Sequence, residues 1–309
     1  MRGKASDYIP ALKYGNKIYP EDIAGAYAYR DLWYVDDLNG NDNFDGKTLD
    51  KAFKTIQAGT NAVGATGDAL VIAPGDYATD EVSISGARDF LAVFGLGGRG
   101  SVAVAPSGTN KTALTVVGTS ANRARDISFY NIGGEADGTG FGLYVKANIR
   151  RFRAYGCKFE GGAAAVKLES TGADPLTVAD TILEDCELAW ATVGLSLSVS
   201  GAGDPVTQTY LRGSLIHNVT ADGVLTDAQC NDVWVVGNTF ANQEDGTEPT
   251  QYLDIDDTGV TGYVANNYFA TTVFSTAKFA IASGVIFTNN ISERENPSAN
   301  IGGTNGRPD

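Results

Sequence analysis

Between residues 31 and 292 the chain is divided into short runs rich in Val, Ile, Phe and Tyr, separated by Gly, Asn and Asp. Apolar and polar positions alternate within each run, as in strands that bury one face, and the run-and-turn unit recurs. Alignment of the runs gives RDISFYNI at 125–132, RFRAYGCKF at 151–159, DTILEDCEL at 180–188 and TYLRGSLI at 209–216. It continues with VWVVGNTF at 233–240, GYVANNYF at 262–269 and VIFTNNI at 285–291. One column of this alignment holds Asn131, Cys157, Cys186, Ser214, Asn238, Asn267 and Asn290, at steps of 23 to 29 residues. Such steps fit one turn of a solenoid whose loops differ in length. The column before it holds Tyr130, Gly156, Asp185, Gly213, Gly237, Asn266 and Asn289. All but the first are Gly, Asn or Asp, which tolerate the left-handed backbone of a sharp bend.

Small polar or thiol side chains after a bend suit a stacked internal ladder, each about 4.8 Å above the next. Stacked Asn amides satisfy one another's donors and acceptors. Two positions beyond the ladder, Phe159, Leu188, Ile216, Phe240 and Phe269 fill the core. A second strand follows in each coil, at 142–146, 164–170, 194–200, 223–228, 252–257 and 279–283. The alternative, a β-sandwich, requires hairpin turns every 8–12 residues and leaves the asparagine column unexplained. The pattern predicts an all-β fold, a right-handed parallel β-helix over 31–292. An extended arm (1–30) precedes it and a polar, breaker-rich tail (293–309) follows.

The solenoid's opening, WYVDDLNGNDNFDGKTLDKAFKTIQAG at 33–59 followed by GDALVIAPGDY at 67–77, resembles the start of pectate-lyase-like β-helix domains. That resemblance implies a short capping helix. Ala52, Phe53, Ile56 and Ala62–Val63 then form an apolar face over the open end of the core. It implies no particular activity, because this fold carries lyases, hydrolases, esterases and inert fibres.

Composition changes the picture in two ways. The net charge of −14 argues against a nucleic-acid partner. The charge is also uneven, because residues 1–30 carry five basic and three acidic side chains, which leaves the arm at +2 and the rest at −16. Three cysteines make no disulfide framework. No leader-like apolar run is visible near the start and no stretch is long enough to insert in a membrane, so synthesis in a cytoplasm is expected.

Chemistry is sparse. The carboxylate clusters Glu184, Asp185, Glu187 and Asp254, Asp256, Asp257 are the candidates for a glycosidase pair or a calcium-assisted lyase. Acids at alternate positions of a solvated strand are also ordinary, and Asp185 is already a bend residue. The only histidine, His217, lacks the glycines and paired Asp of a polygalacturonase site, and no G-x-S-x-G elbow is present. The loop DLNGNDNFDG at 37–46 has its glycine one place early for an EF-hand, and Thr48 stands where the closing glutamate belongs. GLGGRG at 95–100 is followed by no helix to hold a phosphate. The expectation is a protein with no catalytic residue, metal or cofactor.

Four positions before the ladder stand Ile127, Arg153, Ile182, Tyr210, Trp234, Tyr263 and Ile286. Strand alternation turns them outward, and such a stripe suits a homo-oligomer, with Tyr210, Trp234 and Tyr263 at a homotrimer contact. The alternatives are reversed alternation or a covering loop. The arm, ASDYIPALKYGNKIYPEDIAGAY at 5–27, resembles the opening of tailed-bacteriophage virion proteins that sit on the capsid. This implies a structural, non-enzymatic decoration or head-spike protein on the capsid surface. Tyr8, Ile9, Lys13, Tyr14, Lys17 and Tyr19 would bind the phage capsid protein, and a host-surface glycan is a candidate ligand. The alternative is a tailspike-type polysaccharide lyase or hydrolase working through the outer-wall acids.

Overall fold

The computed structural model describes residues 29–292, except 65–66, 79–80, 87, 120, 122, 172–176, 201–204, 228–229 and 272–276. The arm residues Tyr8, Ile9, Lys13, Tyr14, Lys17 and Tyr19 and the tail lie outside the described residues. The fold is a right-handed parallel β-helix. Each coil contributes a strand to each of three parallel sheets, which hold 13, 9 and 8 strands among the described residues. The strands run from Leu32–Val35 to Ile291–Ser292, and each pairs with its counterparts one coil earlier and one coil later.

Alternation accounts for the core. In the first sheet Phe129, Ala154, Leu183, Leu211, Val235 and Val264 are stacked inward and buried. Facing them from the third sheet are Leu143, Val166, Leu195, Val224 and Leu253. A single continuous apolar cluster therefore runs the length of the solenoid.

A helix, α1 (Ile56–Ala62), closes the first coil; Thr55 accepts the Ala58 N–H at its N-cap, at 3.1 Å. Phe53, Ile56 and Val63 join the main core. Gly59 of α1 lies so close to the first coil that a Cβ would come within 2.7 Å of Leu70 and Val35 side chains. Ala52 does not face this core; it covers the outside of the first sheet with Tyr34, Ala69, Val71, Ala92 and Phe94.

The bend between the first and second sheets corrects the alignment at one position. Tyr130 pairs with Tyr155, so Asn131 stands beside Gly156 and Ile132 beside Cys157. Asn131 is therefore the bend residue of its coil, at φ 54°, and not a ladder residue; Ile132 occupies the ladder position. With that shift the bend column becomes Asn131, Gly156, Asp185, Gly213, Gly237, Asn266 and Asn289, all at φ between 52° and 68°. The same one-residue slip misplaced Ile127, which is fully buried; Ser128 is the outward residue of that coil.

The rest of the ladder column points inward and is buried: Cys157, Cys186, Ser214, Asn238, Asn267 and Asn290. Its hydrogen bonding repeats from coil to coil. The Oδ1 of Asn238, Asn267 and Asn290 each accepts the backbone N–H of the residue one coil earlier, Ser214, Asn238 and Asn267, at 2.9, 2.9 and 3.0 Å. Their Nδ2 groups donate to Leu211, Val235 and Val264 carbonyls at 2.9, 2.8 and 3.0 Å. Asn238 Nδ2 also reaches Asn267 Oδ1 at 3.0 Å, and Asn267 Nδ2 reaches Asn290 Oδ1 at 2.9 Å. Each amide thus satisfies backbone groups that the bend leaves without a strand partner. Cys157 and Cys186 are free thiols, and burial raises Cys157 well above the ordinary thiol range.

Candidate functional site

The two acid clusters differ in what surrounds them. Glu184, Asp185 and Glu187 are committed to ion pairs along the outside of the bend. Arg212 meets Glu184 and Arg99 meets Asp185, both at 2.7 Å, and Lys158, Arg99 and His217 surround Glu187 at 3.9, 3.8 and 3.3 Å. Arg99 comes from the GLGGRG segment, which serves here as a wide turn reaching the Asp185 corner. These contacts leave the cluster no free carboxylate to act as a base.

Asp254, Asp256 and Asp257 lie on the outer face of the third sheet, in a groove of about 380 Å³ shared with Ser196, Ser198, Leu225 and Asp227. Among the described residues no Lys or Arg pairs with these three. Burial, then the charges of Asp256 and Asp222, pushes the Asp254 carboxyl up to about 6. A carboxyl in that range beside a second acid is chemically suited to proton transfer. No group of three or more His, Cys, Asp or Glu side chains converges as a metal-ligand set among the described residues. In the 37–46 loop, Asp42 is occupied with the Lys54 and Thr55 N–H groups, both at 2.8 Å, and Asp36 with those of Leu38 and Asn39.

His217 is held by its neighbours. The Asn218 amide donates to Nδ1 at 2.9 Å, which leaves Nε2–H directed at Glu187, 3.3 Å away.

The outward column of the first sheet contains Arg153, Ile182, Tyr210, Trp234, Tyr263 and Ile286 in register. The Tyr210 and Trp234 rings stack with centroids 5.7 Å apart, and Trp234 and Tyr263 are 5.4 Å apart. Trp234 is 38% exposed and Ile286 43%.

A third feature was not anticipated from the sequence. At the corner between the second and third sheets, Gly161, Trp190 and Asn218 occupy equivalent positions on successive coils, with φ of 79°, 53° and 52°. Left-handed backbone at a bulky residue is an outlier that costs about 1–3 kcal/mol. Trp190 is nonetheless half exposed, and it lines a groove of about 500 Å³ with Asp137, Gly162, Thr192, Gln243 and Glu244. Aligning the chain on this corner as well as on the ladder would have put the tryptophan in a column of Gly and Asn and marked it.

No family model matches the chain, and no curated protein matches it. Solved structures do. Rice weevil pectin methyl esterase superposes with a TM-score of 0.58 at 11% identity, over 95% of this chain and 96% of its own. Escherichia coli YbhC gives a TM-score of 0.55 at 11% identity, over 94% and 84%. Pectate lyase Pel9A overlaps less closely, with a TM-score of 0.46 at 13% identity, over 88% and 83%. At these identities the likeness is one of fold.

Proposed function

We propose that the chain is a non-enzymatic bacteriophage virion component, a β-helical capsid decoration or head-spike protein. In this reading it is a homotrimer that assembles in the host cytoplasm and binds capsid protein through residues 1–30. The observation that carries the reading is the outward stripe of Ile182, Tyr210, Trp234, Tyr263 and Ile286, of which Trp234 and Ile286 are exposed and the other three partly buried. A continuous apolar column of this kind is characteristic of a surface buried in an assembly. Further support comes from the ion pairing that neutralises the Glu184–Glu187 cluster.

The anchor is tested by co-sedimentation with capsids of the same phage. Tyr29 packs on Phe94 and Arg30 bonds to Gly67, so the informative deletion is of residues 1–28. Full-length protein should sediment with capsids and the truncated protein should fold and stay in solution. Equal binding by both removes the anchor from the proposal.

A second reading, a polysaccharide lyase or hydrolase, is favoured by one observation, the Asp254 carboxyl near 6 beside Asp256. Release of reducing ends or unsaturated sugars that is lost in Asp254→Asn would replace the structural reading with this one.

A further inference from the structure

We infer that the groove around Trp190 is a binding site for a neutral oligosaccharide. The inference is independent of the virion reading, because it rests on the corner between the second and third sheets.

Trp190 differs from the other two tryptophans. Trp33 has the Lys47 ammonium over its ring, and Trp234 is flanked by Tyr210 and Tyr263. The Trp190 ring has no such neighbour among the described residues and stands half exposed over the groove. It stands there at φ 53°, where the adjacent coils use glycine and asparagine. Packing does not explain so unfavourable a residue in so open a place. Phe90 shares this backbone at φ 58°, so strain alone is no mark of function; a strained aromatic left half exposed over a groove is what points to contact outside the fold.

The lining specifies the ligand. Thr192, Thr220 and Gln243 line the groove with Trp190, together with Asp137, Glu244 and Asp245. A flat aromatic surface beside a mixture of hydroxyl, amide and carboxylate groups matches a sugar ring, which has one C–H face and a rim of hydroxyls. Carboxylates accept hydroxyl protons strongly and repel anions, which selects against uronic-acid chains. The walls are preformed. The Glu244 N–H is fixed to Asn218 Oδ1 at 2.7 Å, and the Asp245 side chain caps the Thr247 N–H at 2.8 Å, which keeps that carboxyl below its usual range. Asp137, Gly162, Ala191, Thr220 and Gln243 come from five successive coils, so the groove runs along the axis for about 19 Å. That length accommodates an oligosaccharide and not a single sugar.

The test is a glycan array carrying neutral, N-acetylated and uronic-acid oligosaccharides, followed by calorimetry on the best neutral binder. Wild-type protein should bind neutral chains saturably and uronic-acid chains at least tenfold more weakly. Trp190→Gly should lower neutral binding at least tenfold while its melting temperature stays level or rises, because glycine suits the bend. Glu244→Gln should weaken binding several-fold. The inference is overturned if no neutral chain binds, if Trp190→Gly binds as wild type does, or if uronic-acid chains or a Lys/Arg peptide bind better than neutral sugars.

Discussion

The outer face of the first sheet is one continuous surface, yet its two halves are finished differently. Toward the N-terminus the outward residues Tyr34, Ala69, Val71, Ala92 and Phe94 are buried together with Ala52, Tyr29 packs edge-on against Phe94, and Phe94 stacks on Tyr130 with centroids 4.8 Å apart. Toward the C-terminus the column that continues Ala69 and Ala92 carries Ile182, Tyr210, Trp234, Tyr263 and Ile286, with Trp234 and Ile286 exposed, while the column that continues Val71 and Phe94 turns polar at Glu184 and Arg212. Both halves present apolar columns to the same side. The comparison teaches that a parallel β-helix does not distinguish wall from core by composition; an apolar outer column is ordinary once another segment lies on it. The first half is covered by its own chain, and the proposed trimer would cover the second with other copies.

Phe94→Ala should break the covered half. A buried phenylalanine is lost and its cavity cannot collapse between two coils, so chemical denaturation should show a loss of about 3–5 kcal/mol. A smaller loss would mean that the N-terminal segment lies loosely on the wall.

Asn267→Leu probes the uncovered half from the inside. It strands the backbone N–H of Asn238 and the Val235 carbonyl, each at about 1–3 kcal/mol, and removes one of the two Asn238 Nδ2 bonds, offset in part by the added apolar contact. Melting like wild type would mean that the ladder does not support this half.

Trp234→Lys should separate wall from fold. Its effect on subunit unfolding should stay within about 0.5 kcal/mol, as for an ordinary surface change. Light scattering at micromolar concentration should show a trimer in wild type and a monomer in the variant. A monomeric wild type would sink the proposed assembly.

The smallest effect is expected on the third sheet. Asp254 has its carboxyl raised to about 6, and in an unfolded chain it returns to about 3.9. Between those values the folded protein binds the extra proton, so this group's contribution to stability falls as pH rises from about 4 to 6. Asp254→Asn should therefore melt slightly above wild type at pH 7, and the difference should vanish by pH 4. A difference that does not change with pH would refute the raised Asp254 carboxyl.

The coil repeat and the Asn267–Asn290 ladder were legible because both recur at a fixed offset from a bend that only a few residue types tolerate. The slip at Asn131 arose because asparagine serves both columns, as a bend residue there and as an amide ladder residue at Asn238. The register of that coil is decided by Phe129, Ile132 and Ile127 burying together. The corner that opens the first sheet escaped notice because only half of its left-handed residues, Asp126, Asp180 and Asp232, are of a type that favours such backbone, and Phe90, Arg151 and Gln208 interrupt the column. There the stack is held in part by side chains such as the Arg151–Asp126 pair, bonded twice at 2.7 Å. Whether an acid is free or paired was not legible either, since Arg99 reaches Asp185 across 86 positions of sequence.

The strict coil-to-coil register also makes the molecule a ruler. Asn238 and Asn267 hold the same place on adjacent coils, as do Thr239 and Tyr268. Excising 239–267 would splice Asn238 directly onto Tyr268 and leave every column above and below in phase. The product would be shorter by one rise of about 4.8 Å, with a single inter-coil junction remade between new neighbours. Length can therefore change in whole-coil steps without redesign of either end.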